Sequence, residues 1–156
     1  KILNAVERVN EKQKMHLVHV MENHFKGSLA GKHFALWGLA FKPNTDDIRE
    51  APALTIIDAL LQRGATITAF DPEAASHVKQ VVGDTINYAQ NQYAALENAD
   101  ALIIATEWSV FRTPDFDEIV NKLPSKLIFD GRNLFELETV KKHGFTYYSI
   151  GRSDVK

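Results

Sequence analysis

The chain has 156 residues, enough for one domain with a complete hydrophobic core. Apolar residues make up 45% of it and charged residues 24%, a balance typical of globular proteins. The net charge of −2 at pH 7 disfavours a nucleic-acid-binding or basic membrane-binding surface, so we expect neither partner. The absence of cysteine excludes disulfides, thiolate metal sites and cysteine nucleophiles within this chain. No apolar run reaches the roughly 18 residues of a membrane helix, and no signal peptide is recognisable, so we expect a cytoplasmic location.

The first 25 residues predict one long amphipathic helix. Apolar side chains recur at spacings of three and four from Ile2 to Phe25. The pattern is already under way at Lys1, without a capping residue or an initiator Met, so we expect a piece of a longer protein. The following "KGSLAGK", residues 26–32, contains two glycines and predicts a linker.

From residue 33 onward, strand-like and helix-like segments alternate. The predicted strands are His33–Trp37, Thr66–Phe70, Thr85–Ala89, Ala101–Ala105, Lys126–Phe129 and Phe145–Ile150. The predicted helices between them are Pro52–Arg63, Pro72–Val82, Asn91–Asn98, Phe116–Lys122 and Leu134–His143. Six strands alternating with five helices indicate a doubly wound, Rossmann-like α/β fold, with a parallel sheet covered on both faces.

The loop after the first strand, "GLAFKPNTDDIREAP", is unusual for a nucleotide-binding unit. A dinucleotide fingerprint needs three glycines at this junction, and here Gly38 stands alone, which disfavours ordinary NAD binding. Lys42 and Arg49 could bind phosphate or sugar oxygens. The alternative is that the charges of this loop simply pair with one another in solvent.

Later loops at the carboxyl ends of strands hold further candidates, because ligands bind there in open α/β sheets. Asp71 lies where a Rossmann domain places its ribose-binding acid, although Asp-Pro equally begins a turn or helix. Trp108 and Phe111 fit the edge of a core better than a ligand cover. Asp130 and Arg132 follow the fifth strand, and an arginine there suits an anionic or polyhydroxyl ligand.

Metal and catalytic motifs are weak. His16, His19 and Glu22 recur every three residues on the predicted first helix, but no further ligand pattern supports a metal ion. No nucleophile elbow, Walker loop or zinc spacing occurs. The residues alone therefore predict a cationic crevice in an α/β domain, with no catalytic residue assigned.

The motif "GLAFKPNTDDIREAP", followed by "AFDP", "ATEW", "FDGRN" and "YYSIGR", resembles the C-terminal, UDP-binding domain of the UDP-glucose/GDP-mannose dehydrogenase family. The resemblance runs from about Gly31 to the end. It implies a UDP-sugar-binding domain at 33–156, and residues 1–25 as the end of the central helix joining two nucleotide-binding domains. Members oxidise the C6 alcohol of the sugar to a carboxylate in two NAD-dependent steps, through a cysteine thioester. Their NAD-binding domain and catalytic cysteine precede the region matched here.

The same resemblance implies roles for particular side chains. Phe41 and Lys42 would contact the UDP-sugar, Arg132 its hydroxyl groups, and Arg49 the NAD held by the other domain. "NTDDIREAP" and "TEW" are closer to members that use UDP-glucose, so we expect UDP-glucose and NAD as ligands and a homo-oligomeric full-length enzyme. Two alternatives remain: a dehydrogenase for UDP-N-acetylmannosamine or GDP-mannose, and a nucleotide-binding module without catalytic activity.

Overall fold

The structure, a computed structural model, describes residues 14–156, so residues 1–13 of the predicted first helix lie outside the described residues. The strands are β1 His33–Trp37, β2 Thr66–Phe70, β3 Asn87–Tyr88, β4 Ala101–Ile104, β5 Leu127–Asp130 and β6 Thr146–Tyr148. The helices are α1 at 14–24, α2 Pro52–Gln62, α3 Ala75–Val82, α4 Ser109–Arg112, α5 Phe116–Lys122 and α6 Leu137–Lys142.

All six strands are parallel, in the order β3-β2-β1-β4-β5-β6, which confirms the predicted doubly wound fold. Strands β4 and β5 are buried along their whole length, as expected for parallel strands covered on both faces. Helix α2 begins with a proline and ends before Gly64, whose φ of +81° suits a left-handed cap. Ile57 and Leu60 lie on its buried face, each contributing roughly 1.5–3 kcal/mol of transfer free energy.

Local structure differs from the predictions in several connecting segments, chiefly between β2 and β4. The predicted helix Asn91–Asn98 is wrong: only a 3₁₀ turn at Ala94–Leu96 forms. The Asn91 Oδ1 caps the start of the segment by accepting the backbone N–H groups of its third and fourth residues, 3.0 and 2.8 Å away. The helix does not continue because the backbone becomes extended at Glu97, with ψ of 130°, and left-handed at Asn98, with φ of +60°. The predicted strand Thr85–Ala89 shortens to Asn87–Tyr88. Helices α3 and α6 begin three residues later than predicted, and α4 is not predicted at all.

The described part of α1 packs on the domain core. Leu17, Val18 and Met21 are buried, and Glu22 pairs with Arg63 of the segment after α2 at 3.1 Å. The wider assignment of 1–25 as a connecting helix stays a prediction. Within residues 14–156, no helix combines the length and the apolar character needed to cross a membrane.

Candidate functional site

A pocket of about 710 Å³ opens at the carboxyl edge of the sheet, near the point where the strand order reverses between β1 and β4. Ligands of doubly wound folds bind at this switch point, and the volume is typical of small-molecule sites. Its walls come from α1, from the loop before α2 and its first turn, and from the ends of β4, β5 and β6. They include Leu17, Phe41, Pro52, Ala105, Arg132 and Ile150.

The turn after β1 is closed by packing. Gly38 has a φ of +99°, and a Cβ built on it would lie 2.5 Å from the Cβ of Thr106, which follows β4. The Thr106 hydroxyl also donates to the carbonyl of Ala40 at 2.7 Å, and Leu39 and Ala40 are buried. Gly38 therefore allows two strand ends to approach each other. The residues of this turn do not fit the pyrophosphate of a dinucleotide, which needs bare backbone there.

The carboxylate of Asp71 is fully used inside the protein. Its Oδ2 accepts the backbone N–H groups of Leu39 and Ala40 at 2.7 and 3.0 Å, and the indole N–H of Trp108 at 3.1 Å. Its Oδ1 accepts two more backbone N–H groups at the start of α3, both at 2.8 Å. Asp71 is 5% exposed, so we assign it to structure and not to a ribose.

The two aromatic residues after β4 close the core, as the sequence favours. Phe111 is fully buried and stacks on Trp37 with ring centroids 5.0 Å apart. Trp108 is 7% exposed and is oriented by its hydrogen bond to Asp71.

The turn after β5 is fixed from within by Asp130. This buried carboxylate accepts the backbone N–H groups of Arg132 and Leu134, both at 2.8 Å, and the hydroxyl of Tyr147 at 2.5 Å. Burial raises the pKa of Asp130, and these hydrogen bonds only partly oppose it. Burial and the nearby Asp130 carboxylate raise the pKa of Tyr147. The turn thus holds the backbone of Arg132 at the rim of the pocket.

Glu107 is the residue of this site that the sequence analysis misses. Its Oε2 accepts from Nη2 of Arg132 at 2.6 Å, and its side chain is 21% exposed. Burial raises the pKa of Glu107, but hydrogen bonding to Arg132 and its positive charge outweigh this, so the net pKa is lowered. Glu107 belongs to the quoted motif "ATEW", which was the available signal.

The structure places the three candidate ligand-binding residues of the loop after β1 in different surroundings. Phe41 is 45% exposed and lines the pocket together with Arg132. Lys42 is exposed and does not belong to the pocket lining. Arg49 is 88% exposed and forms a two-pronged pair with Asp47, at 3.1 and 2.9 Å, and its contact with NAD stays a prediction.

The first-helix candidates do not form a metal site within the part of the chain that the structure describes. His16 lines the pocket, and Glu22 pairs with Arg63.

Comparison with known proteins decides the family. Residues 35–137 match the model of the UDP binding domain of the UDP-glucose/GDP-mannose dehydrogenase family. The chain belongs to this family. It is 44% identical to a UDP-glucose 6-dehydrogenase of Pseudomonas aeruginosa, over 97% of this chain and 34% of that protein. It is 41% identical to UDP-glucose 6-dehydrogenase TuaD of Bacillus subtilis, over 100% of this chain and 34% of that protein.

A solved structure agrees with these sequence matches. A UDP-glucose dehydrogenase from the hyperthermophilic archaeon Pyrobaculum islandicum superposes with a TM-score of 0.77 at 34% identity, covering 93% of this chain and 31% of the other. The chain therefore spans about a third of the length of the relatives it matches.

Proposed function

We propose that this chain is the UDP-sugar-binding, C-terminal part of a UDP-glucose 6-dehydrogenase, which oxidises UDP-glucose to UDP-glucuronate with two NAD. The observation that carries the proposal is the pocket at the switch point, because two of its lining residues, Phe41 and Arg132, belong to the segment 35–137 that matches the family's UDP binding domain. The names of the curated relatives support UDP-glucose as the sugar nucleotide.

The pocket offers three kinds of contact to such a ligand. Phe41 presents a partly exposed ring for packing. Helix α2 begins at the pocket with Pro52, and its N-cap residue, Ala51, forms no side-chain cap, so the positive end of the helix dipole is available to a diphosphate. Arg132 donates hydrogen bonds to sugar hydroxyls, and the exposed Lys42 adds a positive charge beside Phe41.

NAD is proposed to bind mainly outside this chain, in a preceding domain of the full-length enzyme. The packed turn at Gly38 and the fully used Asp71 support that division. Arg49 is exposed enough to reach a neighbouring domain, after exchanging Asp47 for the cofactor. A cytoplasmic location and a homo-oligomeric enzyme remain predictions.

Calorimetric titration of this chain tests the proposal. We expect UDP and UDP-glucose to bind and NAD not to bind. Arg132→Ala should weaken UDP-glucose about ten- to a hundred-fold while leaving UDP nearly unchanged, because a hydrogen bond to a charged group contributes about 1.5–3 kcal/mol. The matched control is Arg112→Ala, an exposed arginine that does not line the pocket. NAD binding, or equal UDP-glucose affinity in both variants, would contradict the assignment.

Steady-state kinetics of the full-length enzyme then separate the alternatives. Lys42→Ala and Arg132→Ala should lower kcat/KM for UDP-glucose about ten- to a hundred-fold, whereas Arg49→Ala should affect mainly NAD. Faster turnover of UDP-N-acetylmannosamine or GDP-mannose than of UDP-glucose would favour the related dehydrogenases. A full-length protein that binds nucleotides but oxidises none of these sugars would favour the non-catalytic module.

A further inference from the structure

The guanidinium of Arg132 carries a built-in counter-charge. Glu107 Oε2 lies 2.6 Å from Nη2 of Arg132, and the arginine side chain is only 37% exposed. Its side chain forms no other hydrogen bond within residues 14–156, so the remaining N–H donors are available to a ligand. Arg132 therefore lines the pocket with N–H donors whose positive charge is opposed by the Glu107 carboxylate beside it.

Only one of the two oxygens of the Glu107 carboxylate, Oε2, accepts a hydrogen bond within the described part of the chain. Glu107 Oε1 is enclosed, and among the described residues it has no hydrogen-bond partner. Arg112 is a second positive charge near Glu107, but it lies on α4 and does not line the pocket. Within residues 14–156, Arg132 is the partner that holds Glu107 in place.

A guanidinium that is paired with a carboxylate and one that is unpaired favour different ligands. A bare arginine binds a carboxylate through two charge-assisted hydrogen bonds, which are about twice as strong as those to neutral acceptors. An arginine already paired with a carboxylate repels a second carboxylate through the first, yet still donates to neutral hydroxyls. Oxidation of a sugar alcohol at C6 converts a neutral hydroxyl ligand into a carboxylate ligand.

We propose that Glu107 is a positioning and specificity-determining residue, which holds Arg132 and cancels its charge so that the pocket favours the neutral sugar over its carboxylate product. The inference rests on the proposed function. Its consequence is that the oxidised sugar nucleotide is not retained by the arginine that binds the alcohol.

The test is the selectivity ratio, the Kd of UDP-glucuronate divided by the Kd of UDP-glucose, measured by calorimetry on this chain. Glu107→Gln keeps the length of the side chain and removes its charge, and it should lower the ratio about tenfold. A merely structural loosening would weaken both ligands together and leave the ratio unchanged. Glu97→Gln makes the same change on an exposed residue before β4, at the opposite edge of the sheet, and should leave the ratio as in the wild type.

The double variant Glu107→Gln/Arg132→Ala tests whether Glu107 acts through the arginine. We expect its ratio to equal that of Arg132→Ala alone. The inference is wrong if Glu107→Gln leaves the ratio within about twofold of the wild type, or if it lowers the ratio equally without Arg132. Wild-type chain that binds neither sugar nucleotide would instead overturn the proposed function, and the inference with it.

Discussion

Replacing Asp71 by asparagine distinguishes a structural carboxylate from a ribose-binding one. The side chain of asparagine has the same shape, but only one of its two terminal atoms accepts hydrogen bonds. Asp71 receives five: three at Oδ2, from Leu39, Ala40 and Trp108, and two at Oδ1. The best orientation of the amide keeps the three bonds at the Oδ2 position and turns its NH₂ group toward the two backbone donors just before α3.

The size of the effect follows from those two donors. One of them, the N–H of Ala74, is fully buried, and that of Glu73 is partly buried. Leaving a buried donor without an acceptor costs about 1–3 kcal/mol, so Asp71→Asn should lower the free energy of unfolding by about 2–4 kcal/mol. That is a large share of the roughly 5–15 kcal/mol that stabilises a typical domain.

Urea denaturation followed by circular dichroism measures the change. The matched control is Asp58→Asn on the exposed face of α2, where the carboxylate accepts only from Gln62 among residues 14–156; we expect a change within about 0.5 kcal/mol. The folded Asp71→Asn variant should bind UDP like the wild type. If Asp71→Asn is as stable as the control variant but has lost nucleotide binding, the carboxylate is a ligand-binding group and this reasoning is refuted.

Three further predictions address the two strand ends and the loop. Gly38→Ala should destabilise the fold by about 2–4 kcal/mol in urea titrations, because its Cβ has no room, whereas Gly151→Ala, with φ +67° and open space, should cost only about 1 kcal/mol. Burial raises the pKa of Asp130 in the folded state, so the folded state binds a proton more readily than the unfolded state and is stabilised as the pH falls. The free energy of unfolding of the wild type should therefore increase relative to that of Asp130→Asn between pH 7 and pH 4. The opposite trend would contradict the burial argument. The hydrogen bond from Arg49 lowers the pKa of Asp47 to about 2, so the NMR signal of the Asp47 carboxyl carbon should titrate with a midpoint near pH 2. Arg49→Ala should return the midpoint toward 3.8. An unchanged midpoint would show that the pair does not form in solution.

The fold is predictable from the sequence because its central strands are sufficiently apolar to be recognised without tertiary context. β4 and β5 are short runs of buried residues, and α2 carries its own start and stop signals in Pro52 and Gly64. Prediction fails where the backbone conformation of a few residues ends an element early. The apolar spacing of 91–98 and the cap at Asn91 suggest a helix, but Glu97 is extended and Asn98 has a φ of +60°, so only a 3₁₀ turn forms.

The site is only partly predictable, since its critical contacts join distant parts of the chain. Loop position identifies Arg132, the family resemblance adds Phe41, and both line one pocket. The partners of Asp71 lie up to 37 residues away in sequence, so its structural role becomes visible only in the fold. The pairing of Glu107 with Arg132 spans 25 residues, which is why the counter-charge is missed although the motif containing it is recognised.

The end of β1 explains why this domain lacks a glycine-rich loop. The one glycine is used to bring β1 against β4, and Asp71 takes up the backbone N–H groups that follow it. The chain then continues for about a dozen residues before α2 begins at Pro52, and this first residue of α2 lines the pocket. A ligand diphosphate there needs charged side chains and a helix terminus, and it does not need bare backbone at the turn. Ala40 and Pro43 occupy the second and third glycine positions of a dinucleotide fingerprint, and the charged side chains lie on the following segment, from Lys42 to Glu50.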